Sequence, residues 1–210
     1  MTEPAADASV SLGDVVAHRP DPAVVAAHAH LHADALDELQ RWAAPDPGQA
    51  RLRDRYLDHL RAHADATAKA GPPAHLTASC LVLDRTGEHV LLTLHRRAGE
   101  WFQFGGHLEP GDASLWHAAR REGREESGID DLEPAAVPVQ LDRHVLVGAF
   151  GRCREHLDVR YAAVAGPGAL VRVSEESHDV RWWPVEALPP GTRAELTPLV
   201  SLAREALLRR

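Results

Sequence analysis

Three glutamates, Glu122, Glu125 and Glu126, fall within the stretch GGHLEPGDASLWHAARREGREESG, residues 105–128. On a helix, Glu122 stands three positions before Glu125 and four before Glu126, so all three carboxylates project into one broad sector. Like charges at that spacing cost a helix a few tenths of a kcal/mol per pair, and Arg121, four positions before Glu125, offsets part of this. Two uses fit such a cluster. It can be a solvated, charge-laced helix face, the usual fate of such a run taken alone. It can also hold a hard divalent cation such as Mg²⁺ against phosphate, because carboxylates and backbone carbonyls are the oxygen donors that Mg²⁺ prefers. The upstream residues FGGHLEPGD favour the second use. Consecutive glycines let backbone approach a ligand closely, and a turn there can bring the Gly105 or Gly106 carbonyl toward the carboxylates.

The carboxylates need a helix, and its boundary signals are present. Asp112 or Ser114 can cap its start, Leu115, Ala118 and Ala119 supply an apolar side, and Gly128 is the expected C-terminal stop. Before it, HLTASCLVLD and EHVLLTLH read as strands joined by DRTG, a hairpin signal with Gly87 at positive φ. The short EWFQF leads into the glycine turn. After it, HVLVGAF, LDVRYAAVA, ALVRV and VRWWP read as further strands, and AELTPLVSLAREALLR as a closing amphipathic helix. Upstream, Asp21-Pro22 and Asp46-Pro47 each give an N-cap followed by proline at the first helical position. Two helices are therefore expected before residue 70, ended by AGPPAH. Strands and helices alternate irregularly, which predicts an α/β fold with a mixed sheet in a sandwich, and not a doubly wound repeat. The expected division is an N-terminal helical extension, 1–72, and a core domain, 73–210.

With these elements in place, the 105–129 stretch resembles the signature of the Nudix hydrolases: Gly, five residues, Glu, seven residues, Arg-Glu, an aliphatic residue, any residue, Glu-Glu, any residue, Gly, an aliphatic residue. Arg121 to Ile129 match its second half, and Gly106 with Asp112 match its first, with Asp for Glu. The sequence departs in two further ways. Eight residues, not seven, separate Asp112 from Arg121, and Gly123 replaces the aliphatic residue. Glycine within a helix costs about 1 kcal/mol relative to alanine and leaves a space toward the sheet, which Trp116 is a candidate to fill. The resemblance implies a Nudix-like α/β/α sandwich and hydrolysis of a diphosphate linked to another group, with Mg²⁺, or Mn²⁺, as cofactor. It implies Glu122, Glu125 and Glu126 as metal ligands with a Gly106 or Gly105 carbonyl assisting, and Arg121 as the residue that fixes a glutamate. Glu122 is one candidate general base, and Glu175 and Glu176 of the SEESHD loop are others. The competing reading is a non-catalytic Nudix-like module that binds a nucleotide and regulates a partner.

Other residues carry weaker signals. His107 follows the glycines and could meet phosphate or simply cap the turn. Arg96 and Arg97 end the second strand, where they could meet an anionic substrate or solvent. Trp101 and Phe102 read as core, and Trp182 and Trp183 as packing. His156, Asp158 and Arg160 alternate, so they share one strand face, toward either the site or solvent. His28, His30 and His32 form HAHLH, in which only His28 and His32 share a helix face. A closed zinc site needs four convergent ligands, so this run reads as a polar helix face. Cys80 and Cys153 make no CxxC pair and read as reduced packing residues.

The bulk properties exclude several classes. The chain has 210 residues, a formal charge of -8 and 26% charged residues. No basic stripe marks a nucleic-acid polymer as partner. No apolar run approaches the roughly 20 residues needed to cross a bilayer, and the N-terminus lacks the basic and apolar regions of a signal peptide. The expected setting is the cytoplasm, with a small diphosphate-containing molecule as substrate. The helical extension could form a homodimer interface or meet another partner.

Overall fold

The computed structural model describes residues 18–146 and 152–208. The N-terminal segment is two helices, α1 (Pro22–Arg41) and α2 (Pro47–Ala62). Asp21 caps α1 through the Ala23 N–H, and Asp46 caps α2 through Gly48 and Gln49, with proline first in each helix. Then follow β1 (Ala74–Leu83), β2 (His89–His95), β3 (Trp101–Phe102), β4 (Phe104–His107), α3 (Leu115–Ser127), β5 (Gln140–Val145), β6 (Glu155–Val164), β7 (Ser177–Pro184) and α4 (Leu196–Leu208).

The strands form one mixed sheet of order β3-β2-β1-β6-β5, with β4 also pairing β1 and β7 pairing β2. β1 and β6 run parallel over ten residue pairs, while the other pairings are antiparallel. Alternation along β1 divides the core between the two faces. Leu76 and Ala78 pack with Leu31, Leu39, Tyr56, Leu60, Leu115 and Ala118 from α1, α2 and α3. Leu81 and Leu83 pack with Leu196, Leu199, Val200 and Ala203 of α4. The fold is an α/β/α sandwich with N-terminal helices preceding the sheet.

Helices α1 and α2 join the sheet by polar contacts as well as by the shared core. The Gln49 amide both donates to and accepts from the Leu141 main chain, at 3.0 and 2.7 Å, on the edge strand β5. Such contacts cover an otherwise open sheet edge. Trp42 Nε1 donates to the Pro138 carbonyl at 2.6 Å, and Tyr56 donates to the Asp142 carbonyl. In the HAHLH run, His32 bonds the Leu60 carbonyl of α2, His30 the Asp112 carbonyl ahead of α3, and His28 is buried in α1.

Three expectations need correction. The Gly105-Gly106 segment is a strand, not a turn, because β4 pairs with β1 from Thr77–His107 to Cys80–Phe104. ALVRV is not a strand: Ala169 and Val171 pack against a core cluster, but Leu170 and Val173 face solvent and the backbone makes no ladder there. The space at Gly123 is filled by Leu132 and Cys80, which a Cβ on Gly123 would meet at 2.9 and 3.3 Å. Trp116 instead donates to the Pro134 carbonyl. Gly123 thus lets α3 lie close on β1. The strand expected over HVLVGAF overlaps β5 only at His144 and Val145; β5 starts earlier, at Gln140, Leu146 lies beyond it, and 147–150 lie outside the described residues. Among the described residues, no helix is long and apolar enough to cross a membrane.

Candidate active site

Helix α3 is held at both ends. Ser114 caps it through the His117 N–H, and Gly128, at φ +72°, closes it in the left-handed conformation. A further acceptor comes from α1, where Asp34 takes the Leu115 N–H at 2.7 Å. Beside it, His30 bonds the Asp112 carbonyl at 2.7 Å. The N-terminal helix therefore fixes the entry to the carboxylate helix. Sequence reasoning missed Asp34 and His30, since each lies more than 80 positions from its partner.

Strand β4 lies directly over the carboxylates. The Gly105 N–H donates to Glu126 at 3.2 Å. A Cβ on Gly106 would fall 2.7 Å from a Glu122 carboxylate oxygen, and one on Gly105 would fall 2.3 Å from Ser79 Cβ. The paired glycines are therefore needed for approach in two directions, Gly105 toward β1 and Gly106 toward α3. Glu126 is buried at 6% exposure, and the Glu122 side chain is 14% exposed. Glu125 stands at the mouth, with a side chain 63% exposed.

Burial pushes the Glu122 carboxyl up to about 7, against the opposing pull of Arg121. Burial, joined by the Glu122 charge, pushes Glu126 up to about 8. Glu176, exposed on the loop before β7, adds to both shifts through its charge.

Arg121 is tied down on several sides. It grips Asp112 with two bonds, at 2.9 and 3.0 Å, and donates to Glu122 at 2.9 Å, to the His107 carbonyl at 3.0 Å and to Glu125 at 3.4 Å. These partners hold the guanidinium as a cation. Asp112, 5% exposed, also accepts from the Glu109 N–H at 2.8 Å. It therefore makes the bidentate contact with Arg121 despite the extra residue and the shorter side chain. The Asp112 N–H closes a turn back on the Glu109 carbonyl, and the extra residue lies beyond it, between Asp112 and Arg121.

The remaining sequence-derived candidates lie around this centre. Arg96 donates from its backbone to the Glu176 carbonyl at 2.9 Å and from its guanidinium to the Ser177 carbonyl at 3.2 Å. The His107 carbonyl faces Arg121, whereas its imidazole lies 3.1 Å from that of His75. Asp158 and Arg160 are buried together in a network with Thr77, Ser79, Gln103, Gln140 and Asp142, so this polar face of β6 is not the solvent side. Trp101 is buried, edge-on to Trp183.

The donor set suits a hard divalent cation. A buried carboxylate, Glu126, and a half-buried one, Glu122, repel each other and have raised pKa values, a third stands at the mouth, and the glycine strand lies alongside. Such a group of oxygens is stabilised when a small cation shares its charge.

Compared with known proteins, residues 73–203 match the family model for the NUDIX domain. The chain belongs to the Nudix family. No curated protein matches it in sequence. Among solved structures, a NUDIX-family hydrolase from Clostridium perfringens aligns at 22% identity and TM-score 0.51, covering 63% of this chain and 97% of that one. An Ap4A hydrolase of C. elegans aligns at 20% identity and TM-score 0.52, with the same coverage. A MutT protein from Methanosarcina mazei Go1 aligns at 23% and 0.51, covering 65% and 97%. At these identities the likeness shows the shared Nudix fold. Helices α1 and α2 precede the region matched to the Nudix domain, yet Asp34 and His30 reach the carboxylate helix within it.

Proposed function

We propose that this chain is a divalent-cation-dependent hydrolase, using Mg²⁺ or Mn²⁺, that cleaves the diphosphate linkage of a nucleoside diphosphate joined to another group. The observation that carries this reading is the pair of Glu126, buried, and Glu122, half-buried, under Gly105 and Gly106, beside an Arg121 clamped by Asp112. Glu122, Glu125 and Glu126 would hold the cation, with the Gly106 carbonyl assisting. The cation supplies neutralisation of charge on the diphosphate oxygens and a lowered pKa for a bound water.

The protein's own groups do the rest. Arg121, held by Asp112 and the His107 carbonyl, fixes the Glu122 carboxylate, a supporting contact of the kind that typically matters 10- to 100-fold. Glu122 is one candidate to accept a proton from water, and Glu176 is the competing base on the facing loop. Arg96, hydrogen-bonded to the 176–177 main chain, and Glu176 flank the approach of the substrate, and His107 serves through its main chain.

The test is product release with Mg²⁺ across nucleoside triphosphates, oxidised nucleotides, ADP-ribose, dinucleoside polyphosphates and sugar nucleotides. Nucleoside monophosphate release on at least one substrate is expected. Release on none, with a clear ligand-induced thermal shift, would replace this reading with a nucleotide-binding regulatory module.

A further inference from the structure

A second group of donor atoms lies on the other side of β4, formed by His75, His107, His156 and Cys153. One ligand atom from each lies within 4.8 Å of all the others. The arrangement follows from the sheet: His75 of β1 is in register with His156 of β6, and His107 of β4 pairs with Thr77, two residues along the same face of β1. The three imidazoles form a triangle with ring centroids 5.0 to 5.2 Å apart. Cys153, a free thiol just before β6, closes the group with its Sγ 3.9 Å from His107 Nε2.

We infer that His75, His107, His156 and Cys153 form a binding site for a tetrahedral transition-metal ion, Zn²⁺ by donor type, separate from the carboxylate centre. Zinc bonds of about 2.0–2.1 Å to nitrogen and 2.3 Å to sulfur place tetrahedral ligands about 3.3 Å apart for N···N and about 3.6 Å for N···S. The observed 3.1 Å between His75 and His107 Nε2 and 3.9 Å from His107 to Cys153 lie within a few tenths of an ångström of these separations, and the other pairs, all within 4.8 Å, would draw closer around a bound ion. The His75 Nδ1–H donates to the Pro72 carbonyl at 3.0 Å, which fixes the tautomer and leaves Nε2 as a lone-pair donor, as in ligating histidines generally. His156 Nε2 is buried without any hydrogen-bond partner. Burial lowers the pKa of all three imidazoles, with neighbouring histidines adding to the effect at His107 and His156, which favours the neutral, ligating form. The positive group acting on all three is the exposed Lys69, whose charge a Cys153 thiolate would offset. Four protein ligands make a closed site, the structural type of zinc centre. It would tie β1, β4 and β6 together at His107, next to the glycines that face Glu122 and Glu126.

The test is metal content and cobalt spectroscopy on the full chain, with a Glu125→Gln/Glu126→Gln double variant to disable the carboxylate centre. A single Zn²⁺ is expected to survive desalting in excess Mg²⁺, in the wild type and the double variant alike. Co²⁺ should give tetrahedral ligand-field absorption with a thiolate charge-transfer band. Cys153→Ser should abolish that band, and His75→Ala or His156→Ala should abolish stoichiometric Zn²⁺ retention. No retained zinc, an octahedral cobalt spectrum, zinc lost in the double glutamate variant, or a charge-transfer band that survives Cys153→Ser would each overturn the inference. Zinc retention and the cobalt spectrum are read on the wild-type chain, so they decide the matter even where a variant does not fold.

Discussion

Strand β4 borders two clusters of donor atoms that differ in chemistry and in origin. On one side are the oxygens of Glu122, Glu125 and Glu126, delivered by one helix within five consecutive positions. On the other are nitrogens and a sulfur from His75, His107, His156 and Cys153, brought together by β1, β4, β6 and the residue before β6, with contacts spanning 32 and 46 positions. Gly106 and the Gly105 N–H face the first cluster and the His107 imidazole the second, yet the His107 carbonyl also anchors Arg121. A helix fixes which of its residues share a face, so the first cluster follows from local spacing. The second depends on strand pairing and register.

Substitutions in β4 separate the two. The largest effect is expected from Gly105→Ala, because its new Cβ would meet the β1 backbone at 2.7 Å, where no flexible side chain can yield. Overpacking of this kind costs about 1–3 kcal/mol or more, and with β4 displaced both clusters should fail. Chemical denaturation and Zn²⁺ retention check this, and a stable variant that keeps its zinc would mean β4 does not link the centres. In Gly106→Ala the nearest atoms the new Cβ meets are those of the Glu122 carboxylate, so it should depress hydrolysis while leaving Zn²⁺ retention unchanged.

Asp112→Asn should also act on one side only. It removes the charged, bidentate partner of Arg121, so turnover should fall roughly 10- to 100-fold, the range for supporting contacts around a metal site, while zinc retention stays as in the wild type. Wild-type turnover in this variant would show that the remaining contacts suffice to hold Arg121.

The metal-free protein should show the two clusters pulling in opposite directions with pH. Glu122 and Glu126 titrate at about 7 and about 8, above their ordinary 4.5, so the folded state binds protons that the unfolded state has already released. Their contribution therefore falls as pH rises from about 4.5 to about 8. His107 and His156 titrate at about 3 and about 4, below their ordinary 6.5, so their contribution is present above 6.5 and is lost as pH falls. Between pH 6.5 and 8 only the glutamate effect operates among these four groups. Thermal unfolding of the metal-free chain should become easier across that interval, and less so in Glu126→Gln. Identical pH dependence in the two proteins would refute the glutamate assignment. The smallest effect is expected from Asp34→Ala, which removes the acceptor for the Leu115 N–H and should cost about 1 kcal/mol, measured by urea denaturation.

Much of this molecule was legible in its sequence, and for physical reasons. The Asp-Pro starts of α1 and α2, the stop at Gly128, the shared face of the three glutamates and the strands β1, β2, β6 and β7 are local features. Arg121 with Asp112 is half legible, because the motif gives the arginine, but only the fold shows that the shorter acid still reaches it across the residue inserted between them. The β4 glycines carry a turn signal, whereas in the fold they serve close packing on Ser79 and Glu122. ALVRV has strand-forming residues but no strand to pair with. Asp34, His30 and the histidine–cysteine cluster were beyond local reading. The HAHLH run drew attention as a histidine motif, whereas the converging histidines are separated along the chain and meet only through the sheet.

The most direct test of the central claim is Mg²⁺-dependent hydrolysis by wild type and Glu126→Gln, side by side on the best substrate from the panel, with folding checked by circular dichroism. The account predicts a folded variant whose turnover falls by more than about 100-fold, beyond the loss typical of a supporting contact. A folded Glu126→Gln that turns over like the wild type would contradict it.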